Sequence, residues 1–142
     1  MSKGYIAEAS VDIRATAGEV WRALTEPELI KRYLFGTEAS SDWKVGSAIT
    51  YRGEWKGQSY EDKGTILELE PKRRFVSTYW SAMSGLPDRP ENYATVTYEL
   101  EPEGEGTRLG VSQDNNPSEE GRAQAQGNWQ AVLQALKELL EA

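Results

Sequence analysis

The sequence contains neither cysteine nor histidine. Without Cys there is no disulfide framework, no thiolate nucleophile and no Cys-ligated metal or cluster. Without His, catalysis through Ser-His, Cys-His or HExxH arrangements is excluded, together with the usual zinc and iron sites. Phe is scarce, at 2 residues, so 5 Trp and 7 Tyr supply much of the bulky apolar surface. No apolar run approaches the ~18–20 residues that a membrane-spanning helix needs. The opening Met1-Ser2-Lys3-Gly4-Tyr5 lacks the roughly 7–15-residue apolar stretch of a secretory signal, so a cytoplasmic location is expected. Positive charge is also short: 16 Lys+Arg against 23 Asp+Glu leave a net charge of −7. That balance argues against nucleic acid as a partner, with Lys72-Arg73-Arg74 as the one dense basic patch.

What remains is an ordinary globular composition, 38% hydrophobic and 27% charged over 142 residues, and one domain spanning 1–142 is expected. Residues 5–13 alternate as a strand, with Tyr5, Ala7, Ala9, Val11 and Ile13 on one face. Thr16-Ala17-Gly18-Glu19 has the form of a capping box, and Val20, Trp21 and Leu24 follow at helical spacing. Thr25-Glu26-Pro27-Glu28 repeats that grammar with Pro in the first turn; Leu29, Ile30, Tyr33 and Leu34 make the stripe, and Gly36 stops it. Two short helices in series are predicted.

The period then changes to two. Strands are predicted over 47–53, 60–70, 74–81, 93–101 and 107–114, separated by Gly-bearing or charged turns. Such short gaps demand antiparallel neighbours, since parallel ones need crossovers of about a dozen residues. Residues 82–92, with Gly85, Pro87 and Pro90, form a mobile rim loop in this reading. From Pro117 to the end runs the longest helix, capped by Ser118, with Ala125, Trp129, Val132, Leu133, Leu136 and Leu140 in one stripe. The expected architecture is α+β: a curved antiparallel six-stranded sheet wrapped on a long C-terminal helix, with two short helices after strand 1.

A curved sheet gripping one helix leaves space near one end. Alternation assigns Phe75, Ser77 and Tyr79, Val96, Tyr98 and Leu100, and Leu109, Val111 and Gln113 to the inward face. Val76, Thr78, Thr95, Thr97 and Glu99 suit the solvent face, while Trp55 and Trp80 fit neither set and are placed at the rim. A cavity walled by aromatics with a few amides has the make-up of a small-molecule site. Tyr33, Tyr51, Tyr79, Tyr98, Gln113, Trp129 and Leu133 are the candidate ligand-binding residues. No catalytic residue, cofactor or metal ligand is expected.

Other chemistry reads poorly. Gly104-Glu105-Gly106-Thr107-Arg108-Leu109-Gly110 misses the GxGxxG spacing and joins two strands. Asp114-Asn115-Asn116-Pro117-Ser118-Glu119 lacks the Gly that a calcium loop needs at its sixth position. Glu54, Glu61, Glu68 and Glu99 lie on or beside strands without the asymmetry of environment that a catalytic pair requires. Lys31, Lys44 and Lys56 have polar neighbours, unlike the desolvated amine of a Schiff base.

The stretch from Ala15-Thr16-Ala17-Gly18-Glu19-Val20-Trp21 through Thr25-Glu26-Pro27-Glu28 to Tyr33 resembles the opening signature of the START-like (SRPBCC) superfamily. More narrowly, the chain is similar to the Hsp90 ATPase activator homologue family in its C-terminal-domain form. Val45-Gly46, Gly64 through Glu70-Pro71 with Arg73-Arg74-Phe75, Gly106-Thr107-Arg108-Leu109, and Gly127-Asn128-Trp129 with Leu133 and Leu136 extend the resemblance. The family pattern places Gly directly before Trp; here Asn128 intervenes, which rotates Gly127 by about 100° around the helix. The resemblance implies the helix-grip (Bet v 1-like) fold. The expected function is a non-catalytic binding protein holding a small aromatic or lipid-like molecule in an internal hydrophobic cavity. One alternative is a minimal co-chaperone of the stress response that binds a chaperone or client protein. Another is a polyketide cyclase-like enzyme steered by Tyr and Arg.

Overall fold

The computed structural model describes residues 4–34, 36–55, 57–81 and 85–141. The place of the Trp55 side chain, Lys56 as an amine and residues 82–84 of the expected rim loop lie outside them. Strand β1 (Tyr5–Ile13) is followed by α1 (Ala17–Thr25) and α2 (Pro27–Tyr33). Strands β2 (Glu38–Ser41), β3 (Ala48–Trp55), β4 (Gln58–Glu70), β5 (Arg74–Ser81), β6 (Ala94–Glu103) and β7 (Gly106–Asn116) come next, and α3 (Glu119–Glu141) closes the order. The strands form one antiparallel sheet in the order β1-β7-β6-β5-β4-β3-β2. This is the helix-grip α+β fold that the sequence predicts, with seven strands among the described residues in place of six. The added strand is β2, a short edge piece in which Ala39 alone is buried, so it carries almost no apolar alternation to read.

The helices begin and end where the sequence places them, with one change of cap. Thr16 Oγ1 accepts the Glu19 amide at 3.1 Å while Glu19 reaches back to the Thr16 amide at 3.4 Å, completing the capping box. For α2 the cap is Glu26, not Thr25, because the Thr25 hydroxyl donates backwards to the Trp21 carbonyl at 2.9 Å. Gly36, at φ +84°, donates its amide to the Lys31 carbonyl and ends the second helix. Ser118 Oγ accepts the Gly121 amide at 3.0 Å and caps α3.

Inward faces follow the alternation. Phe75 is 1% exposed and its ring meets Trp21, Trp43 and Tyr98, joining α1, the β2–β3 turn and the sheet into one core. Val76 departs from the expectation of a solvent-facing side chain: it is 3% exposed, on the central strand of the sheet. Trp80 sits beside the 82–92 loop. It stacks on Tyr93, lies under the Lys63 ammonium and donates to the Leu86 carbonyl at 3.2 Å. Within the described part of the 82–92 loop and at its end, Tyr93 Oη donates to Asp88 at 2.5 Å and Asn92 Nδ2 to the Pro87 carbonyl at 2.9 Å. Its Asp and Asn side chains supply the local partners that its prolines cannot.

Two glycines shape the sheet where the site forms. A Cβ on Gly64 would stand 1.7 Å from the Thr78 carbonyl oxygen, so only glycine admits this approach of β4 to β5. Gly53 lies opposite Tyr60, whose ring occupies the space a side chain would fill. Helix α3 packs chiefly on β1 and β7 and touches α1 and α2. It therefore stands over one side of the sheet and leaves the inner face of β3–β6 to be closed by α2.

Candidate functional site

The space left between α2, α3 and the inner face of the sheet is a cavity of about 570 Å³. Six of the seven residues singled out from sequence line it. Tyr33 comes from α2, Tyr51 from β3, Tyr79 from β5, Tyr98 from β6, Gln113 from β7 and Trp129 from α3. Leu133 does not: it is 0% exposed and packs in the core, and the cavity wall is made instead by Val132, one step around the helix. A second hollow on the outer face, among Glu8, Ser10, Thr97 and Ser112, has no aromatic wall.

The aromatic groups are positioned by their partners. Tyr33 Oη donates to the Ala23 carbonyl at 2.8 Å, pinning α2 to α1. Tyr98 stacks on Phe75 and meets Trp129 edge to face at 5.8 Å. The Trp129 indole N–H donates to Gln113 Oε1 at 2.8 Å; since indole is donor only, the amide is oriented with its nitrogen free to donate. Tyr60 Oη and Thr37 Oγ1 share a hydrogen bond of 2.5 Å beside them.

One polar group in this wall stands apart. Tyr79 Oη donates to Asp62 Oδ2 at 2.7 Å, but Asp62 Oδ1 is buried with no hydrogen-bond partner among the described residues. Burial raises the phenols of Tyr33, Tyr51, Tyr79 and Tyr98 above their ordinary value. For Tyr51 and Tyr79 the Asp62 charge adds to that shift, and for Tyr98 the neighbouring phenols do. All four stay neutral hydroxyls at physiological pH. The cavity thus presents aromatic rings, hydroxyls, the amides of Gln113 and Asn128, and the carboxylates of Asp62 and, at its edge, Glu54. Among the described residues no group of three or more carboxylates gathers as metal ligands would.

Sequence reasoning missed Asp62, Tyr60 and Thr37. The first two were within reach, because stepping back by two from buried Ile66 through Gly64 puts Asp62 and Tyr60 on the inward face. The carboxylates that were weighed lie elsewhere. Glu61 pairs with Arg52, and Glu68 and Glu99 both pair with Arg74 at 3.3 and 3.0 Å; Glu54 reaches the cavity edge but is exposed. Lys31 and Lys44 are exposed, which suits solvated ammonium groups. Gly127, whose displacement the spacing flagged, would meet nothing within 4 Å if it carried a side chain, so no close packing depends on it.

Comparison with solved structures returns the same architecture. The chain is similar to ChR145 from Cytophaga hutchinsonii, with 43% identity, 99% of this chain and 97% of that one covered, and a TM-score of 0.85. At lower identity the fold is shared with the Aha1 dimer from Colwellia psychrerythraea, at 18%, 96% of each chain and a TM-score of 0.74. It is shared too with DynU16, a putative protein of the dynemicin biosynthetic locus, at 20%, with 96% of this chain, 47% of that one and a TM-score of 0.80. No curated protein matches the chain in sequence. The model of the family described as Activator of Hsp90 ATPase homolog 1-like protein matches residues 14–141, and with the helix-grip sheet and its aromatic interior already in view, the chain belongs to that family.

Proposed function

We propose that this protein is a non-catalytic binding protein that holds a hydrophobic, aromatic or lipid-like small molecule between its sheet and α3. The observation that carries this reading is the cavity of about 570 Å³, walled by Tyr33, Tyr51, Tyr79, Tyr98 and Trp129. That volume lies within the roughly 300–1,000 Å³ of small-molecule pockets, which bind through apolar walls and orient through a few polar groups. Trp129 stands in the wall and is a built-in reporter. Titration with N-phenylnaphthylamine, flavonoids, polyketides and fatty acids is expected to give saturable changes in Trp fluorescence. The amide signals of Tyr79, Tyr98 and Trp129 are expected to shift with the same midpoint. If no compound perturbs any of the three, the reading fails.

A second reading is a protein-interaction role of the co-chaperone kind, supported by the family description and by the net charge of −7. Binding through an acidic surface weakens steeply with salt. A pull-down at low salt that retains a chaperone, and loses it as salt rises, would support this role. Recovery of no chaperone at low salt would count against it.

A further inference from the structure

Resting on the cavity reading above, we infer that the pocket is built for a protonated amine carried on an apolar body. Among the described residues that line the cavity there is no Lys or Arg, whereas Asp62 and Glu54 are both carboxylates. Asp62 lies on the inner face, in register between Tyr51 and Ser81. Its chain neighbours face outward and are neutralised there, Glu61 by Arg52 and Lys63 by Asp88 at 2.5 Å. No cation is left for Asp62 among the described residues.

Its two oxygens are unequally served. Oδ2 takes the Tyr79 hydroxyl, while Oδ1 is closed to water and meets no donor. A buried acceptor in that state is a cost to the protein until something donates to it. The Cβ–Cγ torsion of Asp is broad, and binding of the amine requires the carboxylate to turn so that Oδ1 meets a donor held in the cavity. The remaining wall, Tyr51, Tyr60, Tyr79, Tyr98 and Trp129, is aromatic, and aromatic ring faces attract a cation. Tyrosine hydroxyls accept as readily as they donate, so they serve an ammonium group as well. A carboxylate ligand gains from the same hydroxyls but meets like charge in a weakly screened interior, and it leaves Oδ1 without a donor. An alcohol satisfies the hydrogen bonds but leaves the charge uncompensated.

The test uses N-phenylnaphthylamine, a neutral fluorescent reporter, displaced by three naphthalenes that carry an ammonium, a hydroxyl or a carboxylate: naphthylmethylammonium, naphthylmethanol and naphthoate. The ammonium is expected to displace the reporter at about tenfold lower concentration than the alcohol, and about a hundredfold lower than the carboxylate. This order is expected to persist in high salt, because a buried charge is poorly screened. In Asp62→Asn, which keeps an oxygen for Tyr79 to donate to, the advantage of ammonium over alcohol is expected to fall below about threefold. Naphthoate competing as well as the ammonium would overturn the amine inference and leave the cavity reading intact. Loss of the preference in high salt would do the same, by assigning it to the acidic surface. A reporter that does not enter the cavity would overturn both. Should Asp62→Asn fail to fold, the order in the native protein at low and high salt decides alone.

Discussion

The Trp129 indole nitrogen donates to Gln113 Oε1 across 2.8 Å, and this bond fastens α3 to β7 at the wall of the cavity. It is a side chain to side chain bond in a half-buried place, where losing one partner leaves the other less well satisfied than in the intact pair. Gln113→Leu is expected to lower stability by about 1–2 kcal/mol, and Trp129→Phe by a similar amount. Made together, the two changes should cost clearly less than their sum, because neither polar group is then stranded. A double-mutant cycle in urea checks this; strict additivity would mean that the bond contributes nothing.

Gly64 and Gly127 make opposite predictions from the same substitution. At Gly64 an added methyl group meets the Thr78 carbonyl at 1.7 Å, which no rotamer relieves. Gly64→Ala is expected to cost at least about 2–3 kcal/mol by forcing β4 away from β5. Gly127 lies inside α3 with open space around it. Gly127→Ala should add about 0.5–1 kcal/mol, the usual gain on replacing glycine in an exposed helix interior. Thermal midpoints of the two variants, moving in opposite directions from the parent, are the expected readout.

Phe75 is the ring at which Trp21, Trp43 and Tyr98 meet. Phe75→Ala is expected to destabilise by about 3–5 kcal/mol, whereas Phe75→Leu, which keeps most of the volume, should cost much less. Chemical denaturation followed by Trp fluorescence measures both. Near-equal losses would mean that the ring contacts matter more than filled space.

The tyrosine cluster sets an alkaline limit. The phenols of Tyr33, Tyr51, Tyr79 and Tyr98 are raised in the fold, first by burial. In the unfolded chain they ionise near the ordinary value of 10.0. Above that pH the unfolded state binds fewer protons than the native one, so stability falls as pH rises. The contribution is intact below about pH 10 and is lost on the way to the raised values. Phenolate absorbance is therefore expected to appear in two stages, the second coinciding with loss of the fold. A single early stage accounting for every tyrosine would contradict the buried cluster.

Most of the frame was legible because each element carries its own local signal. The Thr16–Glu19 box, the Pro27 start, the alternation of Phe75-Ser77-Tyr79 and the stripe on α3 are all short-range patterns with one physical meaning. β2 was not, since Glu38-Ala39-Ser40-Ser41 pairs through its backbone and buries almost nothing. Among site residues, the large aromatics announced themselves by size and period. Leu133 and Val132 did not separate, because adjacent helix positions differ by about 100° and the stripe alone does not say which edge meets empty space. Asp62 was overlooked for a different reason. A lone acidic residue between Glu61 and Lys63 looks like part of a solvated charge run, and its meaning appears only once β4 is in register with Tyr51 and Ser81.

The pairing of the first strand with the last has a consequence for biosynthesis. Tyr5 lies against Asn116, and the Arg14 amide is held by Glu141 at 2.9 Å. A ribosome must therefore deliver β7 and α3 before β1 finds its permanent neighbours. Until then β1 and the aromatic interior wait unsheltered in the nascent chain. A fold closed this late is slow to nucleate and open to misassembly during translation.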